Sequence, residues 1–161
     1  MNILITGGAG FIGSSIIPEL KKSGHIVYII DNLSFGKREH AKVSDEFFSK
    51  VDIRDKKKVE IIFEKFKPDW LLHLAALHFI PYCNKNPVET IDVNVNATIN
   101  LLNISKRYKK LKGFFLASTA AVYPISNVPI KESLEPAPLD IYGISKLVCE
   151  KLLYEFYLET S

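Results

Sequence analysis

The fold of this 161-residue chain is decided near its start by the stretch Thr6-Gly7-Gly8-Ala9-Gly10-Phe11-Ile12-Gly13. A short apolar run, Asn2–Thr6, leads into it, and an amphipathic run, Phe11–Ser23, leads out of it. The first run is typical of a buried strand and the second of a helix. Glycines between a strand and a helix permit a tight turn and a close approach of the backbone to a ligand. Because amide N–H groups and the positive helix end then face an anion, the stretch predicts a diphosphate-binding loop.

Two overlapping glycine patterns fit this loop. Gly8, Gly10 and Gly13 give G-x-G-x-x-G, while Gly7, Gly10 and Gly13 give G-x-x-G-x-x-G. Either pattern between a strand and a helix is typical of a dinucleotide site. The loop lacks the Gly-Lys-Ser/Thr ending of an ATP-type phosphate loop, which disfavours that alternative.

Short apolar runs and amphipathic runs alternate along the rest of the chain. We predict further strands at Ile26–Ile30, Phe47–Val51, Trp70–Leu74 and Gly113–Ser118, and further helices at Lys56–Phe66, Val88–Leu111 and Ile141–Leu158. Pro18 predicts a kink or a frayed first turn in the first helix. Such alternation is typical of parallel strands joined by right-handed helical crossovers. The sequence therefore predicts one α/β domain over residues 1–161, a Rossmann-like doubly wound parallel sheet with helices on both faces.

Composition excludes several classes of protein. The net charge is only +3, from 21 basic and 18 acidic residues, and it is dispersed, so nucleic acid is not an expected partner. No apolar run is long enough for a membrane helix, and the N-terminal run is too short for a signal peptide. Cys83 and Cys149 form no disulfide framework, and no cysteine–histidine cluster has zinc spacing. We therefore expect a cytoplasmic protein with no metal and no membrane contact.

Asp31 ends the second predicted strand, about 20 residues after the glycine loop, where dinucleotide sites carry a carboxylate for the ribose hydroxyls. A carboxylate there also repels the 2′-phosphate of NADP, so we expect NAD. Lys37 and Arg38 follow closely and keep NADP open as an alternative. A cap for a turn or helix is the structural alternative for Asp31.

A second group of polar residues surrounds the fifth predicted strand and the last predicted helix. Ser118 and Thr119 end the strand, while Tyr142 and Lys146 stand at positions i and i+4 on one helix face. A nearby ammonium favours a phenolate and lowers its pKa from about 10. Tyr142 is thus predicted to accept a proton from a substrate hydroxyl while a hydride moves to the nicotinamide. The Tyr-x-x-x-Lys pair is common by chance, and it gains meaning only behind a dinucleotide loop.

These motifs together resemble the extended short-chain dehydrogenase/reductase family, in its nucleotide-sugar epimerase/dehydratase branch. The resemblance runs from Met1 to about Glu159. Besides the glycine loop, it rests on Asp31-Asn32-Leu33-Ser34-Phe35-Gly36, Val51-Asp52-Ile53-Arg54-Asp55, His73-Leu74-Ala75-Ala76, Asn94-Val95-Asn96-Ala97-Thr98, Ser118-Thr119-Ala120-Ala121-Val122-Tyr123 and Tyr142-Gly143-Ile144-Ser145-Lys146.

The resemblance implies an NAD site along these motifs. It implies that Asn94 braces the cofactor region rather than touching the substrate. The implied cofactor-binding residues are Gly7, Gly10, Phe11, Ile12 and Gly13 at the diphosphate, Asp31, Asn32, Leu33, Ser34 and Gly36 at the adenosine ribose, Asp52 and Ile53 at the adenine, Leu74, Ala75 and Ala76 at the central ribose and phosphates, and Asn94, Tyr142 and Lys146.

The resemblance also implies an activity, that of a UDP-glucose 4-epimerase-like enzyme acting through a transient 4-keto sugar. Thr119, Tyr142 and Lys146 are the implied catalytic residues, with Tyr142 as the base. Thr119, Tyr142 and His78 are implied to contact a nucleotide sugar, most simply a UDP-sugar. For His73 we expect a structural hydrogen bond rather than acid–base work, because it ends a strand.

The chain departs from the family pattern in two ways. The dehydratases carry an Asp-Glu pair after the active threonine, but here Ala120 and Ala121 follow, which disfavours dehydration. The family's chains are also about twice as long, so a C-terminal substrate domain is expected to be absent. A non-catalytic truncated NAD-binding module therefore stays open, as does a related nucleotide-sugar reductase or dehydratase. The resemblance further implies a homodimer through helices 88–111 and 141–158, unless those apolar stripes are buried within the chain.

Overall fold

The structure is a computed structural model that describes residues 1–160. These residues form two compact units. The first consists of Met1–Ala76 and Asn100–Ala117, and the second of Leu77–Ile99 and 118–160. The prediction of a single domain over residues 1–161 stays a prediction, and its last residue lies outside the described part.

The first unit contains a sheet of five parallel strands in the order β3-β2-β1-β4-β5. The strands are β1 (Asn2–Thr6), β2 (Ile26–Asp31), β3 (Phe48–Lys50), β4 (Trp70–His73) and β5 (Gly113–Leu116). The predicted Rossmann-like sheet is thus confirmed, and several strands are one or two residues shorter than predicted where turns begin early. Phe47, for example, belongs to a 3-10 turn, Asp45–Phe47, and not to β3.

The strand order reverses beside β1, and this reversal positions the loops that follow β1 and β4. Ile3 of β1 pairs with Val27 of β2 on one side and with Trp70 of β4 on the other. The connections from β1 and from β4 therefore leave the sheet in opposite directions at their carboxyl ends. Ligands of open α/β sheets bind in the crevice that such a reversal opens.

Helices cover the sheet because strand side chains alternate between its two faces. Ile3 and Ile5 of β1 form a buried cluster with Ile17 of helix α1 (Phe11–Lys22). Leu4, which points to the other face, is also buried. Helix α2 (Lys56–Phe66) has the predicted bounds and buries Val59, Ile62 and Phe63.

Helix α1 begins at Phe11 and spans Pro18 without interruption, so its first turn is not frayed, while the kink stays a prediction. Proline has no N–H, and the carbonyl of Ser14 therefore loses its usual donor within the helix. The side chain of Lys42 supplies a replacement, since its Nζ donates to that carbonyl at 3.3 Å. The left-handed Lys42 backbone in turn accepts a hydrogen bond from Lys21 Nζ at 2.9 Å.

The long helix predicted over Val88–Leu111 consists of three segments and ends earlier. These are α4 (Pro87–Ile91), a π-helical turn (Asp92–Asn96) and α5 (Ala97–Arg107). The sequence analysis missed helix α3 (Ile80–Lys85), which at six residues is too short to show a clear period. Helix α6 (Ile141–Thr160) starts where predicted and runs slightly longer. Between residues 1 and 160, no helix combines the length and apolar character needed to cross a membrane.

Two neighbouring residues of α2 offer a matched test of the core. Ile62 is 8% exposed and Ile61 is 62% exposed. We expect Ile62→Ala to lower the free energy of unfolding by about 2–5 kcal/mol, because it leaves a cavity. Ile61→Ala should change it by less than about 0.5 kcal/mol. Urea unfolding followed by circular dichroism measures both, and equal effects would contradict the assigned face of α2.

Candidate functional site

The glycine loop after β1 is shaped by close backbone contacts. Gly7 has a φ of +72°, and a Cβ there would lie 2.6 Å from the amide nitrogen of Ala75, which follows β4. A Cβ on Gly13 would lie 2.3 Å from the carbonyl oxygen of Gly8. Both distances are too short for any side chain. The loop therefore needs glycine in order to pack against the chain after β4 and against its own helix.

The first turn of α1 exposes its amide groups. The N-terminal N–H groups of a helix have no acceptor within it, and among residues 1–160 no side chain caps α1 at Gly10. The first turn carries no acidic residue, and Phe11 is 90% exposed. The first hydrogen bond of the helix is that of Ser14, whose N–H donates to the Gly10 carbonyl at 3.0 Å. This end of α1 is thus a positive, uncapped terminus beside the glycine loop, as an anion site requires.

Asp31 links the glycine loop to the turn after β2. One of its carboxylate oxygens accepts from the N–H of Ala9 at 2.9 Å, and the other accepts from the N–H of Leu33 at 2.8 Å. Leu33 has a left-handed φ of 61°, a conformation that costs a non-glycine residue about 1–3 kcal/mol. Asp31 is 8% exposed. The cap foreseen as an alternative is therefore real, and a ribose contact by the remaining lone pairs stays a prediction.

The turn after β2 is packed onto the glycine loop. A Cβ on Gly36 would lie 2.7 Å from the carbonyl oxygen of Ala9, and that carbonyl also accepts from the N–H of Lys37 at 3.3 Å. The guanidinium of Arg38, in contrast, donates to Asp45 at 2.6 Å and to the Val43 carbonyl at 2.9 Å. Arg38 is therefore occupied by its own loop, which weakens the case for a 2′-phosphate site.

Asn32 and Asp52 belong to one hydrogen-bond network. The amide oxygen of Asn32 accepts from Ser34, from its N–H at 3.0 Å and from its hydroxyl at 2.7 Å, and its amide nitrogen donates to Asp52 at 3.1 Å. Arg54 donates to Asp52 through Nε at 3.0 Å and Nη2 at 2.8 Å. These bonds, led by those from Arg54, lower the pKa of Asp52 to about 2. Asp52 therefore stays ionised, and Ile53 beside it is buried.

His73 takes part in the core of the first unit. Its Nδ1 lies 2.6 Å from the hydroxyl oxygen of Thr6, and the residue is fully buried. This contact joins the ends of β1 and β4, as expected for a structural hydrogen bond. Leu74, Ala75 and Ala76 follow directly. The N–H of Ala75 donates to the Thr6 hydroxyl at 3.5 Å, and a cofactor contact of these three residues stays a prediction.

In the second unit, the start of α6 places Tyr142 beside Thr119. Asp140 caps the helix by accepting from the N–H of Gly143 at 2.8 Å. A Cβ on Gly143 would lie 2.3 Å from the carbonyl oxygen of Ala121, so only glycine lets α6 approach the 3-10 turn Ala120–Val122. Thr119 caps that turn, accepting from the N–H of Ala121 at 3.2 Å, and its side chain lies close enough to the phenol of Tyr142 to influence its pKa.

The pKa of Tyr142 differs from the prediction. Burial of the phenol raises its pKa, and the nearby groups Cys83 and Asp140 raise it further, while the hydrogen bond from Thr119 lowers it. We expected the ammonium of Lys146 to give a net lowering, and this expectation is wrong for the structure described. The reason is desolvation, because a half-buried phenolate loses more hydration than one hydrogen bond returns. Burial also lowers the pKa of Lys146, which is 3% exposed.

Asn94 lies in the π-helical turn and holds two segments of the second unit together. Its amide oxygen accepts from the N–H of Leu77 at 2.8 Å, and its amide nitrogen donates to the Leu77 carbonyl at 3.0 Å and to Ser145 Oγ at 2.9 Å. The bracing role expected of Asn94 therefore has a physical basis, while a cofactor contact stays a prediction. The sequence analysis missed Leu77 and Ser145, since nothing in their spacing signals a contact. His78, the next residue, is exposed, and its contact with a substrate stays a prediction.

The predicted site residues thus fall into two groups. Those assigned to the diphosphate, the adenosine and the central ribose lie in the first unit, and Asn94, His78, Thr119, Tyr142 and Lys146 lie in the second. No set of three or more histidine, cysteine or acidic residues in the described 1–160 range is arranged to hold a metal ion.

The low pKa of Asp52 gives a testable pH dependence. The carboxylate stabilises the fold above its unfolded pKa of about 3.9, and this contribution is lost as the pH falls towards 2. We expect Asp52→Asn to be less stable than the wild type at pH 7 and equally stable near pH 2, as measured by urea unfolding. In an Arg54→Ala background the effect of Asp52→Asn should shrink. A difference that is constant over the whole pH range would contradict this network.

Comparisons with known proteins agree with this geometry. The family model described as the NAD dependent epimerase/dehydratase family matches residues 3–159. The chain is 35% identical over 158 residues to a UDP-glucose 4-epimerase of Rhizobium meliloti, in a match that covers 98% of this chain and 47% of the relative. The chain thus spans about half the length of the curated relatives that it matches.

Solved structures give the same result. A UDP-glucose 4-epimerase of Thermotoga maritima, determined with UDP-glucose, has a TM-score of 0.91 and 34% identity, covering 99% of this chain and 52% of that one. The enzyme of Thermus thermophilus, determined in complex with NAD, has a TM-score of 0.91 and 35% identity, with the same coverage. The family model matches residues 3–159, and the glycine loop and the Tyr142–Lys146 helix agree with that match. This chain therefore belongs to the NAD-dependent epimerase/dehydratase family.

Proposed function

We propose that this chain is the cofactor-binding part of an NAD-dependent nucleotide-sugar epimerase that acts through a transient 4-keto sugar. The observation that carries the proposal is the placement of the phenol of Tyr142 beside Thr119 and one helical turn from the buried Lys146. The names of the relatives favour a UDP-sugar as the substrate class.

The residues of the first unit fit NAD. Gly7 and Gly13 have no room for a side chain, and the first turn of α1 presents amide groups, so this region would hold the diphosphate. Asp31 and the turn after it would hold the adenosine ribose, and Asp52 would accept from the adenine amine. When bound, NAD supplies a hydride acceptor that carries a positive charge in its oxidised form.

Tyr142 is assigned the proton transfer. It would remove the proton from the sugar hydroxyl while the hydrogen on the same carbon leaves as hydride. It would return the proton when the hydride is delivered back to the opposite face of the keto sugar. Thr119 would orient the reacting oxygen through its hydroxyl. Since burial raises the pKa of Tyr142, positive charge around the phenol must offset that cost. Lys146 is one source of that charge.

Ala120 and Ala121 favour epimerisation over dehydration. Both line a cavity of about 320 Å³, together with Tyr123, Leu139 and Asp140. The alanine side chains have no proton to exchange, so at these positions the wall of the cavity adds no acid or base beside Thr119. This disfavours dehydration and supports epimerisation, with Tyr142 as the assigned base.

A non-catalytic NAD-binding module is the second candidate. The two candidates differ in what a UDP-sugar does to the NAD-loaded protein. An epimerase is expected to transfer hydride and generate the near-ultraviolet absorbance of reduced nicotinamide when UDP-glucose is added. Binding of NAD without that absorbance would favour the module.

We also keep the predicted homodimer and the cytoplasmic location as proposals. Helix α6 leaves Val148, Tyr154, Tyr157 and Leu158 exposed, and an apolar helix face of this kind is available to a second copy. Both cysteines are free and buried thiols, which is compatible with a reducing compartment.

The Tyr142→Phe variant tests the assigned base. We expect sugar interconversion, or hydride transfer from UDP-glucose in this chain, to fall by at least about a hundredfold, because phenylalanine cannot move a proton. Binding of NAD by calorimetry should be retained. Tyr154→Phe, at an exposed position of the same helix, is the matched control and should leave the rate unchanged. An unchanged rate in Tyr142→Phe would refute the assignment.

Asp31 and the occupied Arg38 predict the cofactor preference. We expect NADH to bind more tightly than NADPH in a fluorescence titration, because the carboxylate repels the 2′-phosphate. Asp31→Asn should reduce the ratio of the two affinities, whereas the exposed Glu39→Gln should leave it unchanged. Since Asp31 also ties Ala9 to Leu33, circular dichroism must show that the variant is folded. Equal affinities in the wild type would overturn this role of Asp31.

A further inference from the structure

Helix α6 carries a third polar residue in line with Tyr142 and Lys146. Glu150 follows Lys146 by four residues, as Lys146 follows Tyr142, so the three share one face of the helix. Glu150 is half-buried, and its carboxylate accepts a hydrogen bond from the hydroxyl of Ser118. The glutamate was not among the predicted site residues.

Two consecutive hydroxyl residues lie against the first and the last of these three helix residues. Thr119 contacts Tyr142, and Ser118 contacts Glu150. The two helix positions are about 12 Å apart along the axis, at 1.5 Å per residue. Side chains of adjacent residues in an extended segment point in opposite directions. Because the backbone of Thr119 is extended, Thr119 can reach Tyr142 while Ser118 reaches Glu150. Lys146 lies between these two contacts.

The ammonium of Lys146 needs a counter-charge in this position. The residue is buried, and burial alone disfavours the charged form of an amine. Glu150 and Cys149 act against that effect, since both raise the pKa of Lys146. The cysteine is itself buried and its thiol pKa is raised, so it is neutral at ordinary pH. Glu150 is therefore the acidic side chain that remains.

Charged groups on the elements packed against α6 do not replace Glu150. The titratable residues there are Tyr82, Cys83 and Lys85 on α3, Glu89 on α4 and Asp92 on the π-helical turn. Glu89 is engaged by the hydroxyl of Tyr82 at 2.6 Å. Burial lowers the pKa of Lys146, and the groups that raise it are Cys149 and Glu150, both on α6 itself.

We propose that Glu150 is a positioning residue of this site, whose carboxylate accepts a hydrogen bond from Ser118 and, one helical turn from Lys146, keeps that ammonium charged. The inference rests on the proposed function only for what a charged Lys146 does, which is to serve the nicotinamide ribose and the phenol of Tyr142. Its physical content, the dependence of Lys146 on Glu150, does not require substrate or cofactor.

The test is a titration of Lys146 itself. In protein labelled with ¹³C-lysine, the Cε resonance of Lys146 is assigned by its loss in Lys146→Arg and followed against pH. We expect the titration midpoint to move to lower pH in Glu150→Gln, because the counter-charge is gone while the acceptor for Ser118 remains. Glu150→Asp should restore most of the wild-type midpoint. Glu155→Gln, which removes a charge from an exposed position of α6, should not move it.

A midpoint that is the same in the wild type and in Glu150→Gln would overturn the inference. So would an equal shift in Glu155→Gln, because the effect would then come from net charge alone. Circular dichroism confirms that each variant is folded.

The pH dependence of NAD binding separates this inference from the proposed function. As the pH is raised, Lys146 loses its charge and the affinity for NAD should fall. Calorimetry should show that this fall occurs at a lower pH in Glu150→Gln than in the wild type. In Ser118→Ala the pH of the fall should be displaced by less. A wild-type chain that binds no NAD at any pH overturns the proposed function, while the Lys146 titration still decides the role of Glu150.

Discussion

The first unit depends on one constraint, the close approach of backbone to backbone around the loop after β1. The amide nitrogen of Ala75 and the carbonyls of Gly8 and Ala9 occupy the space that side chains on Gly7, Gly13 and Gly36 would need. Three chain segments can meet at the carboxyl ends of β1, β2 and β4 only because these positions are glycine. The same contacts leave the first turn of α1 uncapped, and an uncapped helix terminus beside such a loop suits an anion.

A comparable constraint shapes the second unit. Gly143 lets α6 touch the carbonyl of Ala121, and this contact sets Tyr142 within hydrogen-bond reach of Thr119. Burial that comes with such packing raises the pKa of the phenol and lowers that of Lys146. The packing that positions the two groups therefore also opposes their charged forms. Any catalytic use of the pair requires nearby charges that offset desolvation. For Lys146 the proposed counter-charge is Glu150, whereas the phenolate of Tyr142 needs positive charge.

Polar residues expected at the cofactor have structural duties as well. Asp31 uses both carboxylate oxygens on backbone amides, and Asn32 uses both ends of its amide on Ser34 and Asp52. Such double use favours binding, because a side chain that is already fixed loses little freedom when a ligand arrives. It also means that substitutions at these positions change stability and binding together.

Much about this protein was determined by the sequence alone. The glycine spacing and the alternation of apolar and amphipathic runs predicted the sheet and the helix bounds of α2, because local periodicity and turn chemistry depend on neighbouring residues. The resemblance of seven motifs to a known family predicted the family. Tertiary structure alone decided the rest. The duty of Asp31 as a cap, the brace that Asn94 forms with Leu77 and Ser145, the raised pKa of Tyr142 and the contact between Ser118 and Glu150 all depend on residues far apart in the chain or on burial. Neither a long-range contact nor a loss of hydration can be predicted from the spacing of residues in a single sequence.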